Sequence, residues 1–324
     1  MTDPTRRERR RWLRSLSLSF CLSVLLFSSP GEPASIALDG ADPPPITWAL
    51  VGDVMLGRGV AQALDGDWES ALARVQPWLA GADWAFANLE SPLTAERERP
   101  AEPSQGAYDL RAPAEAVAAL CAVGFDVVSL ANNHALDAGE AGLAQTIAML
   151  DRAGIVGLGA YQALEFPGGW LLALDDSVAP LDLPVAVQQV ERAAEEGGAV
   201  LVSIHWGGEY QAAPGPRQRM LARTLVAAGA DVIVGHGPHV LQPVEWVDGA
   251  LVAYSLGNFL FDQLYPVDCR WGVVLRLTLR GEHVAAVAAA PTVTERGRVR
   301  LATPVERAAI LKRLNLQPWD VKQN

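Results

Sequence analysis

Five short segments of the 324-residue chain carry side chains able to hold a divalent metal. They are Gly52-Asp53, Asn88-Leu89-Glu90, Asn132-Asn133-His134, His205-Trp206 and Gly235-His236-Gly237-Pro238-His239. Four of the five histidines fall in this set, and only His283 lies outside it. Carboxylate, imidazole and amide oxygen together suit Mn, Zn or Fe, one ion or two. Two ions about 3.5–4 Å apart need a bridging carboxylate and a shared water, whose pKa they lower while holding phosphoryl oxygens. A histidine beside them protonates the leaving alkoxide. Each residue also has a plainer role open to it. Asp53 suits a helix cap, Asn133 a turn, His205 a hydrogen-bonded core position, and His236 and His239 a loop around Pro238. As a set, Asp53, Glu90, Asn133, His205, His236 and His239 point to metal binding.

Their placement depends on the elements that end there. Apolar runs at 46–52, 84–88, 126–131, 199–204, 231–235 and 250–255 read as strands. Helical patterns at about 58–80, 113–123, 137–153, 184–196 and 216–229 lie between them. Several stop at glycines 124, 154 and 229, the usual helix terminator. Continuous apolar strands alternating with helices predict an α/β fold with its sheet covered on both faces. In such folds ligands bind outside the carboxyl ends of the strands, where these polar segments lie. Residues 243–290 read as β runs with short turns, and 303–315 as a closing helix. Tyr161 and a short strand at 170–175 read as part of a pocket-side loop.

The net charge is −11, but residues 1–14 hold six arginines against Asp3 and Glu8. The remainder has 20 basic and 35 acidic residues, which argues against nucleic acid as a partner. Lysine occurs only at 312 and 322, so the body has neither a P-loop lysine nor a Schiff-base lysine. The spacing of Cys21, Cys121 and Cys269 suggests no cysteine metal site, and the latter two read as buried small hydrophobes. The basic TRRERRRWLR segment precedes the apolar SLSLSFCLSVLLFSS, so 1–29 reads as a signal peptide or membrane anchor with some twin-arginine character. Residues 30–45 read as a linker, 46–300 as the folded domain and 301–324 as a C-terminal helix and tail. The body is therefore expected outside: at the outer face of the cytoplasmic membrane, in the periplasm, or secreted.

The blocks GDVMLGR (52–58), ANLESPL (87–93), LANNHALDAGEAGL (130–143), SIHWGGEY (203–210), GADVIVGHGPHVLQP (229–243) and YSLGNFLFDQ (254–263) resemble the capsule synthesis protein family of poly-γ-glutamate production. That family is similar to calcineurin-type metallophosphoesterases, which implies a four-layer sandwich: two packed mixed β-sheets flanked by helices. Carried over, Asp53 and His239 would hold one metal, Asn133, His205 and His236 the other, with Glu90 bridging. His134 would serve as the general acid. Asn258 and Asp262 would line the pocket, joined by Asn88, Trp206 and Glu209. The chain departs from the phosphoesterase pattern at Met55, where a histidine is expected, at Glu90, where an aspartate is usual, and at the spacing of His236 and His239, with Gly237 between. The resemblance implies metal-dependent hydrolysis of an anionic envelope polymer or phosphoester. The alternative is a non-catalytic, membrane-anchored accessory of a polymer synthase or exporter. Ala253-Tyr254-Ser255-Leu256-Gly257 is one residue short of a serine-hydrolase elbow, with Asp268 and His283 following, but no helical pattern follows the serine.

Overall fold

A computed structural model describes residues 44–95 and 108–316, so residues 1–29, read above as a signal peptide or membrane anchor, and nearly all of the expected linker lie outside the described residues. The chain enters β1 (Ile46–Val54), then α1 (Arg58–Leu64), α2 (Gln76–Ala80), β2 (Trp84–Leu89), and the two-residue strands β3 (Leu93–Thr94) and β4 (Ala112–Pro113). It continues through α3 (Val117–Val123), β5 (Val127–Ser129), α4 (Gly139–Ala153), β6 (Val156–Leu158), β7 (Gln162–Phe166) and β8 (Gly169–Asp175). Next come α5 (Leu183–Glu195), β9 (Ala199–His205), α6 (Pro216–Ala227), β10 (Val232–His236), β11 (Val244–Val247) and β12 (Ala250–Ala253). The last elements are β13 (Asn258–Leu260), β14 (Trp271–Arg280), β15 (His283–Glu295), β16 (Arg298–Leu301) and α7 (Pro304–Arg313).

These strands build two large sheets and a two-stranded β3–β4 ladder. The first runs β16-β15-β14-β1-β2-β5-β6, with β13 alongside the end of β1. The second runs β11-β12-β10-β9-β8-β7. In each, the strands that carry candidate ligands are mutually parallel, so β1 and β2 end on one side and β9 and β10 end together. Successive side chains of a strand face opposite ways. Ala49 and Val51 thus join Leu64, Leu79, Leu120 and Leu150 in the core beneath α1–α4. Trp48 and Leu50 turn to the other face, where Trp48 stacks on Trp84 at 5.4 Å and meets Phe166 of the second sheet edge-on at 4.9 Å. The far face of the second sheet packs Leu172, Val202 and Ile233 against Ala186, Val190, Leu221 and Leu225 of α5 and α6. The layers are helix, sheet, sheet, helix, the four-layer α/β sandwich that the resemblance implied. Each buried aromatic removes roughly 150–250 Å² from water, and its pairs add about 0.5–1.5 kcal/mol beyond that area, so the Trp48–Trp84–Phe166 cluster is a main clamp between the sheets.

Three expectations are corrected. The helix read at 58–80 is broken, because Asp65 and Gly66 adopt φ of 47° and 87°, which right-handed helix excludes and glycine tolerates. A 3-10 turn at Trp68–Ala71 then separates α1 from α2. The 170–175 segment is the expected strand, β8, but interior and paired along its length with β9 and so no part of a loop, although its last residue, Asp175, lines a cavity with Ala160 and Gln162. Tyr161 anchors it to α5, accepting a hydrogen bond from Asp182 N on its hydroxyl and one from Gln189 Nε2 on its carbonyl. Cys269 is buried as expected, whereas Cys121 lies on the exposed side of α3. Among the described residues no helix is long and apolar enough to cross a membrane.

Candidate metal centre

The carboxyl ends of the two sheets meet. Asp53 leaves β1 and is fully buried, with Oδ2 3.3 Å from His239 Nδ1 and Oδ1 3.5 Å from His236 Nδ1. Glu90, just past β2, is also fully buried, 3.8 Å from His205 Nδ1. One ligand atom each from Asp53, Glu90 and His239 lies within 4.8 Å of the others. First-sheet carboxylates therefore face second-sheet imidazoles across the layer boundary.

The local sequence makes this turn inward unavoidable. The register of β1 slips after Leu50 against β2 and again between Asp53 and Val54 against β13. At the slip, Asp53 N–H donates to Gly257 O at 3.0 Å. A Cβ on Gly52 would stand 1.9 Å from that same oxygen, so only glycine lets the SLGNF segment lie against β1. Gly237 has a comparable duty: its φ is 103°, and a Cβ there would stand 2.7 Å from the His205 ring. That crowding explains why a glycine, and not a further histidine, separates His236 from Pro238.

Asn88 ties the two carboxylates together, its Nδ2 donating to Asp53 Oδ1 at 2.9 Å and Glu90 Oε1 at 3.1 Å. Asn132 in turn donates to Asn88 Oδ1 and to Leu89 O, both at 3.0 Å. Even so, Glu90 Oε2, Asn133 Oδ1 and both ring nitrogens of His236 are buried with no hydrogen-bond partner among the described residues. A buried unsatisfied polar atom costs about 1–3 kcal/mol. Buried oxygen and imidazole donors left without partners, those of Glu90 and His236 beside Asp53, are what a divalent ion would satisfy, so the residues present fit the metal that the sequence predicts.

The electrostatics agree. Burial alone would raise the Asp53 carboxyl, but His236 and His239 beside it hold it well below the ordinary carboxylate range. Glu90 is driven well above that range, first by burial and then by the Asp53 charge. Burial, reinforced by the other imidazoles, pushes His205 down to about 3. Burial opposes the charge on His239, yet Glu90 and Asp53 outweigh it and lift the ring to about 9. With no metal bound, the His239 ring lies against the Asp53 carboxylate that holds its proton, and His205 is neutral near pH 7.

His134 stands in the same wall. Its Nδ1 lies 2.9 Å from Asp137 Oδ2, which also accepts from Leu110 N at 2.9 Å. An ionised carboxylate only accepts, so Nδ1 carries the hydrogen and Nε2 is left for other work. Asp137 and Asn132 were not singled out from the sequence. The His-x-x-Asp spacing was the available signal for Asp137, but a lone acid there reads equally as a helix-start residue.

The expected pocket residues separate. Asn258 is fully buried and orients His239, with Oδ1 3.0 Å from Nδ1 while its own Nδ2 donates to Cys269 O at 2.9 Å. Asp262 is bound by the Arg58 guanidinium and by Gly59 N, so it holds an arginine and not an imidazole. Glu209 is exposed, although its charge reaches Glu90. Trp206, expected at the pocket, is fully buried in the second-sheet core, with Nε1 donating to Tyr254 O at 2.9 Å. Met55 is also fully buried, its sulfur 3.1 Å from Gly57 N. The serine-hydrolase reading fails here: Ser255 is fully buried and accepts from Gly257 N, and His283 is exposed at the start of β15.

Comparison with known proteins identifies relatives of the chain. The family model described as "Bacterial capsule synthesis protein PGA_cap" matches residues 47–167 and 170–263. A "PGA biosynthesis protein CapA" of Bacillus subtilis is 33% identical over 66% of this chain and 63% of its own length. A "Capsule biosynthesis protein CapA" of Bacillus anthracis is 34% identical over 67% of this chain and 60% of its own. The chain thus spans about three fifths of these relatives. A "Probable polyglutamine synthesis accessory protein" of Mycobacterium tuberculosis is 28% identical over 68% of this chain and 76% of its own length. Among solved structures, TT1561 of Thermus thermophilus aligns with a TM-score of 0.41 at 10% identity, over 73% of this chain and 99% of that one.

Proposed function

The chain belongs to the bacterial capsule synthesis protein family, and from that premise we propose that it acts, as an exported protein, in the synthesis, anchoring or processing of a poly-γ-glutamate-type envelope polymer, through a divalent-metal site that hydrolyses a phosphoester. One observation carries the metal part: Glu90 Oε2, Asn133 Oδ1 and the His236 ring nitrogens are buried without hydrogen-bond partners among the described residues, and Glu90 and His236 flank Asp53. Asp53, Glu90 and His239 would hold one ion, and Asn133, His205 and His236 the ligands of a second. When bound, such ions acidify water and polarise a phosphoryl oxygen.

The chain's own residues do the remaining work. Asn88 fixes the spacing of the two carboxylates. Asn258 fixes the ring plane of His239. Asp137 engages His134 Nδ1, which leaves Nε2 free to hand a proton to a leaving oxygen. Arg58, packed over Phe261, whose ring is 5.0 Å from His239, is already paired with Asp262. The net charge of −11 toward an anionic polymer would therefore have to be offset by bound metal.

The test is elemental analysis of purified protein, with turnover of a phosphodiester measured alongside, for wild type and His236→Ala. The reading expects a stoichiometric transition metal that the substitution depletes, together with lost turnover. Protein that retains no metal, and a variant indistinguishable from it, would sink the proposal. A second reading is favoured by one observation, the buried thioether of Met55 where a further imidazole ligand is expected. On that reading the chain is a membrane-anchored, non-catalytic accessory of a polymer synthase or exporter. Its signature is loss of polymer in cells carrying ligand variants, while the wild type never cleaves any phosphoester offered.

A further inference from the structure

Two of the polar sequence blocks end on residues outside the ligand set, SIHWGGEY on Tyr210 and YSLGNFLFDQ on Gln263. The two meet, Gln263 Nε2 donating to the Tyr210 hydroxyl oxygen at 3.2 Å. The donors along this chain of contacts are ordered from one end. The Cys269 carbonyl can only accept, so the amide nitrogen of Asn258 faces it, at 2.9 Å. The same nitrogen gives its second hydrogen to Gln263 Oε1 at 3.0 Å, which turns Asn258 Oδ1 to His239 Nδ1 at 3.0 Å. With Oε1 taken, Gln263 offers Tyr210 its own amide nitrogen. The phenol oxygen is thus an acceptor, and the phenol hydrogen is left over. Burial and the exposed Glu209 carboxylate raise the phenol to about 12, so that hydrogen is present at neutral pH, and no buried acceptor among the described residues holds it. The ring stands against the centre. Tyr210 and Phe261 both pack on His239, with centroids 6.4 and 5.0 Å away, but Phe261 is buried and Tyr210 is 43% exposed. Tyr210 is therefore the face of this cluster that a molecule arriving from water meets. Its backbone is unusual as well, with φ of 61° in the left-handed region that an aromatic residue seldom adopts. Tyr210 N–H holds that conformation by donating to Pro238 O at 2.8 Å, between His236 and His239. Strain of this sort gathers at active sites and ligand clamps.

We propose that Tyr210 is a substrate-binding residue of this centre, its hydroxyl donating a hydrogen bond to an anionic oxygen of the bound phosphoester while Gln263 holds the hydroxyl in place. The inference rests on reading the strand ends as the reaction centre, and it adds a contact that the candidate ligands do not make. A phenol suits the position. It offers a donor without a charge, so no carboxylate neutralises it, whereas the Arg58 guanidinium is spent on Asp262. Its ring has only two side-chain torsions, so little freedom is lost when the contact forms. Hydrogen bonds to a charged oxygen are the strong ones. Glu209 repels an approaching anion, and the adjacent phenol donor works against that repulsion.

The test is Tyr210→Phe, which keeps the ring and removes only the hydroxyl. Metal content, Tm, the calorimetric affinity for dimethyl phosphate, and kcat and KM for a phosphodiester are measured on the same preparation. The variant should keep the metal ratio and Tm of the wild type. It should bind dimethyl phosphate at least about tenfold more weakly, the loss expected for one hydrogen bond to a charged group. KM should rise with kcat little changed, the mark of a contact made equally in ground and transition states. Gln263→Met should weaken binding too, and add nothing when combined with Tyr210→Phe, because both act on one hydroxyl. Glu209→Gln should tighten binding. Unchanged affinity and KM in Tyr210→Phe at a normal metal ratio overturn the proposal and leave the metal reading standing. Loss of metal in that variant also overturns it, since Tyr210 would then be a support for His239, as does a Glu209→Gln variant weakened as much as Tyr210→Phe. Wild-type protein without metal sinks the metal reading. The Tyr210 assignment survives that result if dimethyl phosphate still binds and Tyr210→Phe weakens it, and falls with it if dimethyl phosphate does not bind.

Discussion

Asp137→Asn isolates the proton-transfer part of the site from its metal part. One oxygen of Asp137 accepts from both His134 Nδ1 and Leu110 N at 2.9 Å, and the residue is 1% exposed. Asparagine keeps the shape and one acceptor oxygen but removes the charge. Charge-assisted hydrogen bonds are roughly twice as strong as neutral ones, and each contributes about 1.5–3 kcal/mol, so the two weakened bonds should cost about 1–2 kcal/mol. In a domain of this size that lowers Tm by about 2–8 °C. The amide also frees the His134 ring to turn over, so Nε2 no longer faces the leaving oxygen reliably. General acid catalysis contributes about 10²- to 10⁴-fold. We expect kcat for an alkyl phosphoester to fall roughly a hundredfold, and for a nitrophenyl ester, whose leaving group needs no proton, only a few-fold. Calorimetry, elemental analysis and the two kcat values form the assay. Equal losses on both esters, or a drop in bound metal, would refute the assignment of His134 and Asp137 to proton transfer.

Other outcomes follow from the same geometry. Gly237→Ala should lower metal occupancy and Tm together, because its φ of 103° is strained for alanine and the new Cβ would displace the His205 ring; elemental analysis and thermal melts read both. In chelated protein, His239 titrates at about 9 against an ordinary 6.5, so its stabilisation is complete below pH 6.5 and fades as pH rises through 9. Chemical denaturation should show that loss, of order a few kcal/mol, and His239→Gln should flatten it. Glu306, held down to about 2 by the two-pronged Arg300 contact, stabilises above its ordinary 4.5 and loses that contribution as pH falls toward 2. Because the pair is partly exposed, Glu306→Gln should cost no more than about 1 kcal/mol, in full above pH 4.5 and fading as pH falls toward 2.

The strand ends were legible because each is a continuous apolar run stopped abruptly by a polar residue that a buried sheet would otherwise exclude, as at Asp53, Glu90, His205 and His236. The division into two sheets was not legible from periodicity, since alternation identifies a strand without naming its partner; β8 and β9 pair only through contacts the sequence does not encode locally. The resemblance supplied that division. Trp206 shows another limit. An aromatic after a ligand suits a pocket rim or a core equally, and the hydrogen bond to Tyr254 that decides for the core comes from a residue far along the chain. Asp137 was missed for a related reason: its meaning depends on which way His134 points.

The contact of Asp53 N–H with Gly257 O also orders events in time. The first carboxylate of the centre leaves the synthetic machinery early, but the strand that fixes it, and the imidazole that pairs with it, come from the last third of the chain. Such long-range closure is slow and comes late in folding. No N-terminal fragment can therefore assemble the candidate ligand set, and on the proposed metal reading ion capture would be a closing step that reports a finished fold. The ion acquired would then be chosen less by the relative affinities of the donors, which follow a general order for any such set, than by which metal is abundant where the chain completes its folding.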